Sequence, residues 1–167
     1  MLPKTIEKLN KIRKKLTKIS FLGGDLTNFI FCCNGKAFIT DGAVAIAVPV
    51  DFKDTIYYNN LEITDKNCVP ISCENLRDLI ENKVAEPEIK SFGYDLHCDS
   101  DIDEISYFIA EQYNYEKLVS FKYLDLIFYI MQVFKTTVRK ITIKDYHVEF
   151  EFRKGVFVLC MVKIPKE

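Results

Sequence analysis

The chain has 167 residues, 49% of them hydrophobic and 28% charged, enough to bury a real core in one domain or one and a half. Its 23 Lys and Arg stand against 24 Asp and Glu, for a net charge of −1, which excludes a polycation that coats nucleic acid along its whole surface. No window holds the roughly 20 consecutive apolar residues that span a bilayer, and the basic, interrupted start is not a signal peptide, so the sequence reads as a soluble cytoplasmic protein.

Residues 4 to 19 are expected to form a helix, because Ile6, Leu9, Ile12, Leu16 and Ile19 recur at spacings of three and four. Lys4, Lys8, Lys11, Lys15 and Lys18 keep the same rhythm on the other side, which gathers five ammonium groups into one stripe. Gly23-Gly24 interrupts the pattern. The segments "NFIFCC", "KAFIT" and "AVAIAVPV" then read as an antiparallel meander, with turns at Asn34-Gly35 and Asp41-Gly42. A second helix is signalled by "SCENLRDLIENK", where Ser72 caps and Leu76, Leu79 and Ile80 make a narrow apolar stripe.

Further on, "EIKSFGYDLHC" and "EISYFIAEQ" read as strands joined by an acidic turn from Asp99 to Glu104. "SFKYLDLIFYIMQVF" reads as a helix that is apolar around most of its girth, with Lys122, Asp125, Tyr129 and Gln132 as its polar line. Three short strands follow, divided at Lys144-Asp145 and Lys154-Gly155. "ISCENLRDLI" and "VSFKYLDLIF" align at a period of 48 residues, and "TIEKLNKI" fits the same frame. The chain therefore looks like three copies of a helix followed by antiparallel strands, although any capped amphipathic helix matches so short a frame.

The order of these pieces carries a family resemblance. "TDGAVAIAV" resembles the TDG-x-x-x-A stretch in the middle domain of bacterial sliding clamps, the β subunit of the replicative DNA polymerase III. "NCVPISCENLRDLIE" takes the place of that family's following strand and helix. Tyr113, Asn114, Tyr115 and Glu116 take the place of its Phe-Pro-Asp-Tyr segment, and "VKIPKE" that of its Met-Pro tail. The likeness runs over about residues 30 to 167. Where the family has three domains of two helix-plus-sheet units, this chain has three units, as if the middle domain were joined to the last half of the third.

The resemblance implies an α+β fold of antiparallel sheets backed by helices. A clamp-like domain over residues 1-119 would be followed by a helix-plus-strands half-domain over 120-167. It also implies a non-catalytic role in DNA replication, with sequence-independent backbone contacts to double-stranded DNA from Lys4, Lys8, Lys11, Lys15, Lys18 and Arg77. Ile164 and Pro165 would receive a peptide from a polymerase or clamp loader. Copies of the chain would assemble edge to edge into an oligomer, with a phage or mobile element as the source. A solvated helix face explains the lysine stripe equally well. The alternative function is a protein-binding adaptor that keeps the fold without encircling DNA.

Catalytic and cofactor readings find little support. There is no Gly-rich phosphate loop and no HExxH, and His97 and His147 alternate within strand-like segments as surface or half-buried residues would. Asp41 lacks a partner that the sequence places nearby, and "DSDIDE" lacks the glycine and following helix of an EF-hand. The six cysteines (Cys32, Cys33, Cys68, Cys73, Cys98 and Cys160) form no CxxC pair and are expected to be reduced thiols. A zinc set of Cys68, Cys73, His97 and Cys98 matches no ligand spacing. No enzyme activity, cofactor or metal is expected.

Overall fold

The computed structural model describes residues 2–20, 22, 24–97 and 100–165, which pack as two compact units, residues 1–86 and 87–167. The boundary expected at 119/120 falls inside the second unit. Gly23, Cys98 and Asp99, which figure in the expected chain break, zinc set and acidic turn, lie outside the described residues.

The first unit begins with helix α1 (Lys4–Ile19), whose Ile6, Leu9, Ile12 and Leu16 are fully buried, as the spacing predicts. Strands β1 (Ile30–Cys33), β2 (Lys36–Thr40), β3 (Val44–Pro49) and β4 (Thr55–Tyr57) pair antiparallel in the order β4-β1-β2-β3. The Asn34-Gly35 turn forms as expected, both residues taking positive φ, the conformation a two-residue hairpin requires. Strand β4 is too short and polar at its ends to show in the sequence.

Helix α2 (Cys73–Val84) is capped by Ser72, whose hydroxyl accepts from the amide of Asn75 at 3.1 Å. Its buried stripe is Cys73, Leu76 and Ile80, while Leu79, expected in it, is 53% exposed.

The cysteines depart from expectation. Cys33 at the end of β1 and Cys73 at the start of α2 are joined by a disulfide that closes a sequence separation of 40 residues. Among the described residues Cys32, Cys68 and Cys160 are free. Cys73 is thereby removed from the zinc set, and no group of described residues gathers three metal-ligating side chains.

The second unit opens with strand β5 (Glu88–Leu96), followed by helices α3 (Ile102–Gln112) and α4 (Phe121–Phe134) and strands β6 (Val138–Lys144), β7 (His147–Phe152) and β8 (Phe157–Met161). Its antiparallel strand order is β8-β7-β6-β5. Helix α3 corrects an expectation, since "EISYFIAEQ" is not a strand. Its Ile and Phe residues favour a strand by propensity, but Ile105 and Ile109 sit four apart and are fully buried, and Phe108 packs edge-on to Phe92 of β5. Asp101 caps the helix by accepting from the amide of Asp103 at 2.9 Å, and Asp103 and Glu104 lie in its first turn, where the helix dipole favours negative charge. From Asp101 on, the acidic run is therefore a helix start. A helix does follow "DSDIDE", although the glycine of an EF-hand is still lacking. The middle repeat consequently holds one strand and a helix rather than several strands.

In α4, seven residues from Tyr123 to Met131 are buried, and Lys122, Asp125 and Gln132 are exposed along the expected polar line. Tyr113, at the end of α3, is buried, and its phenol lies 2.5 Å from the carbonyl oxygen of Lys144 and 3.2 Å from that of His147. Burial, with Asp145 adding a smaller effect, pushes that phenol well above its usual range, so it stays a donor and holds the β6–β7 turn.

Candidate nucleic-acid interface

At 100° per residue the α1 lysines centre on the side of the helix away from its apolar stripe. Lys4, Lys11 and Lys18 are exposed, and Lys8 and Lys15 flank them half-buried. Lys14, which the five-residue stripe leaves out, is also exposed and extends the face beyond Lys18. Glu7 stands on the same face, one turn from Lys4 and Lys11, so the solvent side of α1 presents four exposed lysines, flanked by half-buried Lys8 and Lys15, against one glutamate. Lys18 lies in the last turn, where a cation is favoured by the helix dipole.

The helix also carries a cation that does not face solvent. Arg13 is 5% exposed, and its guanidinium donates to Asn10 Oδ1 at 2.9 Å, to the carbonyl of Thr27 at 3.1 Å and to that of Asn59 at 3.4 Å. Burial lowers its pKa, and the three oxygens offset the lost hydration. Arg13 thus fixes α1 to the 3-10 turn Leu26–Asn28 and to the segment at Asn59, and orients the lysine face. Periodicity alone places it among apolar residues and gives no hint of these partners.

Arg77 has different surroundings from the lysines. Its guanidinium lies 3.6 Å from Asp78 and 3.8 Å from Glu81, on a helix that also bears Glu74, so its charge is matched locally. Ile164 and Pro165 are both exposed, Ile164 at 76%. They follow a short antiparallel bridge in which Leu118 and Lys163 exchange backbone hydrogen bonds of 2.9 Å. Near the start of that bridge, Tyr115 donates to the hydroxyl of Tyr107 at 2.9 Å, and both rings are exposed. This tyrosine pair joins α3 to the segment after it and has no periodic signature in the sequence.

The TDG segment is a closed turn. Asp41 is 2% exposed and accepts from Ser20 Oγ at 2.8 Å and from the amides of Ala43 and Val44 at 2.8 and 2.9 Å. Thr40 Oγ1 donates to the carbonyl of Val44 and accepts from the amide of Gly42, whose φ of 96° suits glycine. These bonds occupy the carboxylate in structure. Asp41→Ala is therefore expected to destabilise the first unit by about 2 kcal/mol, and Asp41→Asn, which keeps one acceptor oxygen, by about half as much. The shift in urea midpoint at unchanged slope measures both; equal losses in the two variants would contradict this role.

His97 is exposed, within the expectation of a surface or half-buried residue, whereas His147 departs from it and is fully buried in β7. The ring Nε2 of His147 is 2.8 Å from Glu149 Oε2, and Lys144 Nζ is 3.5 Å from the same oxygen. The three side chains form a buried polar cluster on adjacent strands β6 and β7.

Among the described residues no helix is long and apolar enough to cross a membrane. No family model matches the chain, and no curated protein matches it by sequence. Solved structures do match. A protein assigned as a DNA polymerase III beta subunit in Eubacterium rectale ATCC 33656 superposes with a TM-score of 0.50 and 12% identity, covering 96% of this chain and 64% of that one. The DNA polymerase III beta subunit of Thermotoga maritima gives a TM-score of 0.46 and 10% identity, covering 97% of this chain and again 64% of the other. The chain thus spans 64% of the length of each. At such identities the likeness is one of fold: these α+β units of antiparallel strands and helices are clamp-like, similar in fold to the DNA polymerase III beta subunit and in keeping with the resemblance carried by the TDG segment and the order of elements.

Proposed function

We propose that this protein is a non-catalytic, cytoplasmic, sliding-clamp-like protein that holds duplex DNA through the lysine face of α1. The observation that carries this reading is the solvent side of α1, where Lys4, Lys11, Lys14 and Lys18 are exposed against one glutamate on a chain whose net charge is −1. Such segregation on a clamp-like fold suits backbone contacts, which position a protein on DNA without reading its sequence and let it slide. In this reading copies of the chain assemble through strand edges, the repeat boundary at 119/120 marks the added half-domain, and Ile164 with Pro165 receives a peptide from a polymerase or loader. Arg77, matched by Asp78 and Glu81, contributes less than the lysines.

Lysine-mediated binding has a salt signature. Each phosphate contact adds about 0.9 to the slope of log affinity against log salt, so Lys11→Glu with Lys18→Glu should reduce the slope by about 2. Affinity at low salt should fall at least about tenfold, with the far-ultraviolet circular dichroism unchanged. Both residues are exposed, so the reversal leaves the core intact. An unchanged affinity and slope would reject α1 as the DNA-binding face. Retention on a nicked circular duplex, with release when the circle is cut, tests encirclement; binding that ignores the cut would reject it.

The second reading is a clamp-fold adaptor that binds a replication protein without DNA. It is favoured by the acidic setting of Arg77 and the exposure of Ile164. A monomer by light scattering that ignores DNA but retains a peptide, with loss of the peptide in Ile164→Asp, is its expected result.

A further inference from the structure

We infer that the Cys33–Cys73 disulfide is a thiol-exchange site, opened by a dithiol reductant, that controls how firmly α2 is held. Three observations converge on it. First, the bond joins β1 to the first residue of α2, a helix whose buried side chains besides Cys73 are Leu76 and Ile80, while Leu79 is exposed. Second, both cysteines, although only 2% and 5% exposed, lie in the wall of an open pocket of about 410 Å³ whose charged lining is Lys53 and Lys66 with Asp54, Asp65 and Glu74, so a small thiol can come up against the bond. Third, Cys73 is the first residue of α2, where the helix dipole, opposed in part by neighbouring Glu74, favours a thiolate and so favours Cys73 over Cys33 as the leaving group.

In the exchange, the reductant's first thiolate attacks Cys33 Sγ; the Cys33–Cys73 bond breaks, and Cys73 leaves as a thiolate that takes up a proton. The reductant's second thiol, losing its proton, attacks the mixed disulfide and releases Cys33, which is protonated in turn. The protein gains two hydrogens and the dithiol leaves as a disulfide. Cys32 does not compete, because burial, with Asp54 adding to it, pushes its thiol up to about 12 and keeps it protonated. On the proposed cytoplasmic reading, a disulfide of this kind is transient and redox-sensing, and the pocket beside it is where a small dithiol would enter.

The test is to treat the folded, full-length chain with dithiothreitol and follow thiol labelling and amide hydrogen exchange together. Without reductant, Cys33 and Cys73 should resist alkylation even in denaturant. With it, under native conditions, both should label, exchange over residues 73–84 should speed up at least about tenfold, and exchange in β7 and β8 should stay unchanged. Reoxidation should restore the slow state. Labelling without reductant, a bond that opens only on global unfolding, or opening without any change in α2 would each overturn the inference. Cys32→Ser keeps both cysteines of the bond and should respond like the parent; loss of the response would overturn the pairing. Cys73→Ala should exchange fast in α2 with or without reductant, and slow exchange there would likewise reject the device.

Discussion

Glu149→Ala is expected to cost about 3–5 kcal/mol, the largest effect foreseen for a single substitution in the second unit. Glu149, Lys144 and His147 are 5%, 4% and 0% exposed, and one carboxylate oxygen serves both the imidazole and the ammonium. Removing the carboxylate deprives a buried cation of this counter-charge while its hydration stays lost, and that asymmetry makes breaking a buried pair costlier than never forming it. The same argument predicts that Lys144→Met combined with Glu149→Leu recovers part of the loss, since the buried ammonium goes with its counter-charge, whereas His147 Nε2 still loses its partner. Chemical denaturation of the three proteins checks both statements. A single-variant loss below about 1 kcal/mol, or a double variant as unstable as Glu149→Ala, would refute the account.

Arg13→Ala should destabilise the first unit by about 3 kcal/mol, although the residue lies on a helix dominated by solvent-facing lysines. Its guanidinium serves three oxygens, and truncation strands the buried carbonyl of Thr27 while opening space beneath α1. Arg13→Lys should recover less than half of that, because a compact ammonium cannot span acceptors that the planar fork reaches at once. By contrast, Lys11→Ala on the exposed face should change stability by no more than about 0.5 kcal/mol. Urea midpoints for the three variants separate the buried cation from the exposed ones. If Arg13→Ala proved as harmless as Lys11→Ala, the anchoring role would fail.

Local patterns are legible in the sequence where one face of an element is buried and the other wet. The lysine and apolar sides of α1, the Asn34-Gly35 turn and the polar line of α4 follow directly from spacing. Strand β7 shows where that logic stops: "HVEFEF" alternates as a half-solvated strand would, yet five of its six residues are buried. Alternation reports the chemistry of each face and not what covers it, so the His147–Glu149–Lys144 cluster stays hidden. Helix α3 escapes a sequence reading because its β-branched and aromatic residues outweigh an i, i+4 pair of isoleucines in a short segment. Arg13 and the Cys33–Cys73 bond depend on partners 14 to 46 positions away, which only the fold brings close.

The bond between Cys33 and Cys73 also records how β1 was laid down. In the native register Cys33 pairs with Lys36 of β2, and Cys32 with Ala37. Neighbouring side chains of a strand point to opposite faces, so a one-step slip that set Lys36 opposite Cys32 would also exchange the faces of the two cysteines. The wrong sulfur would then be turned toward Cys73, and oxidation would mark the error covalently. Peptide mapping of the crosslink therefore proofreads the sheet: a Cys33–Cys73 peptide reports a correctly threaded meander, and a Cys32–Cys73 peptide a misthreaded one.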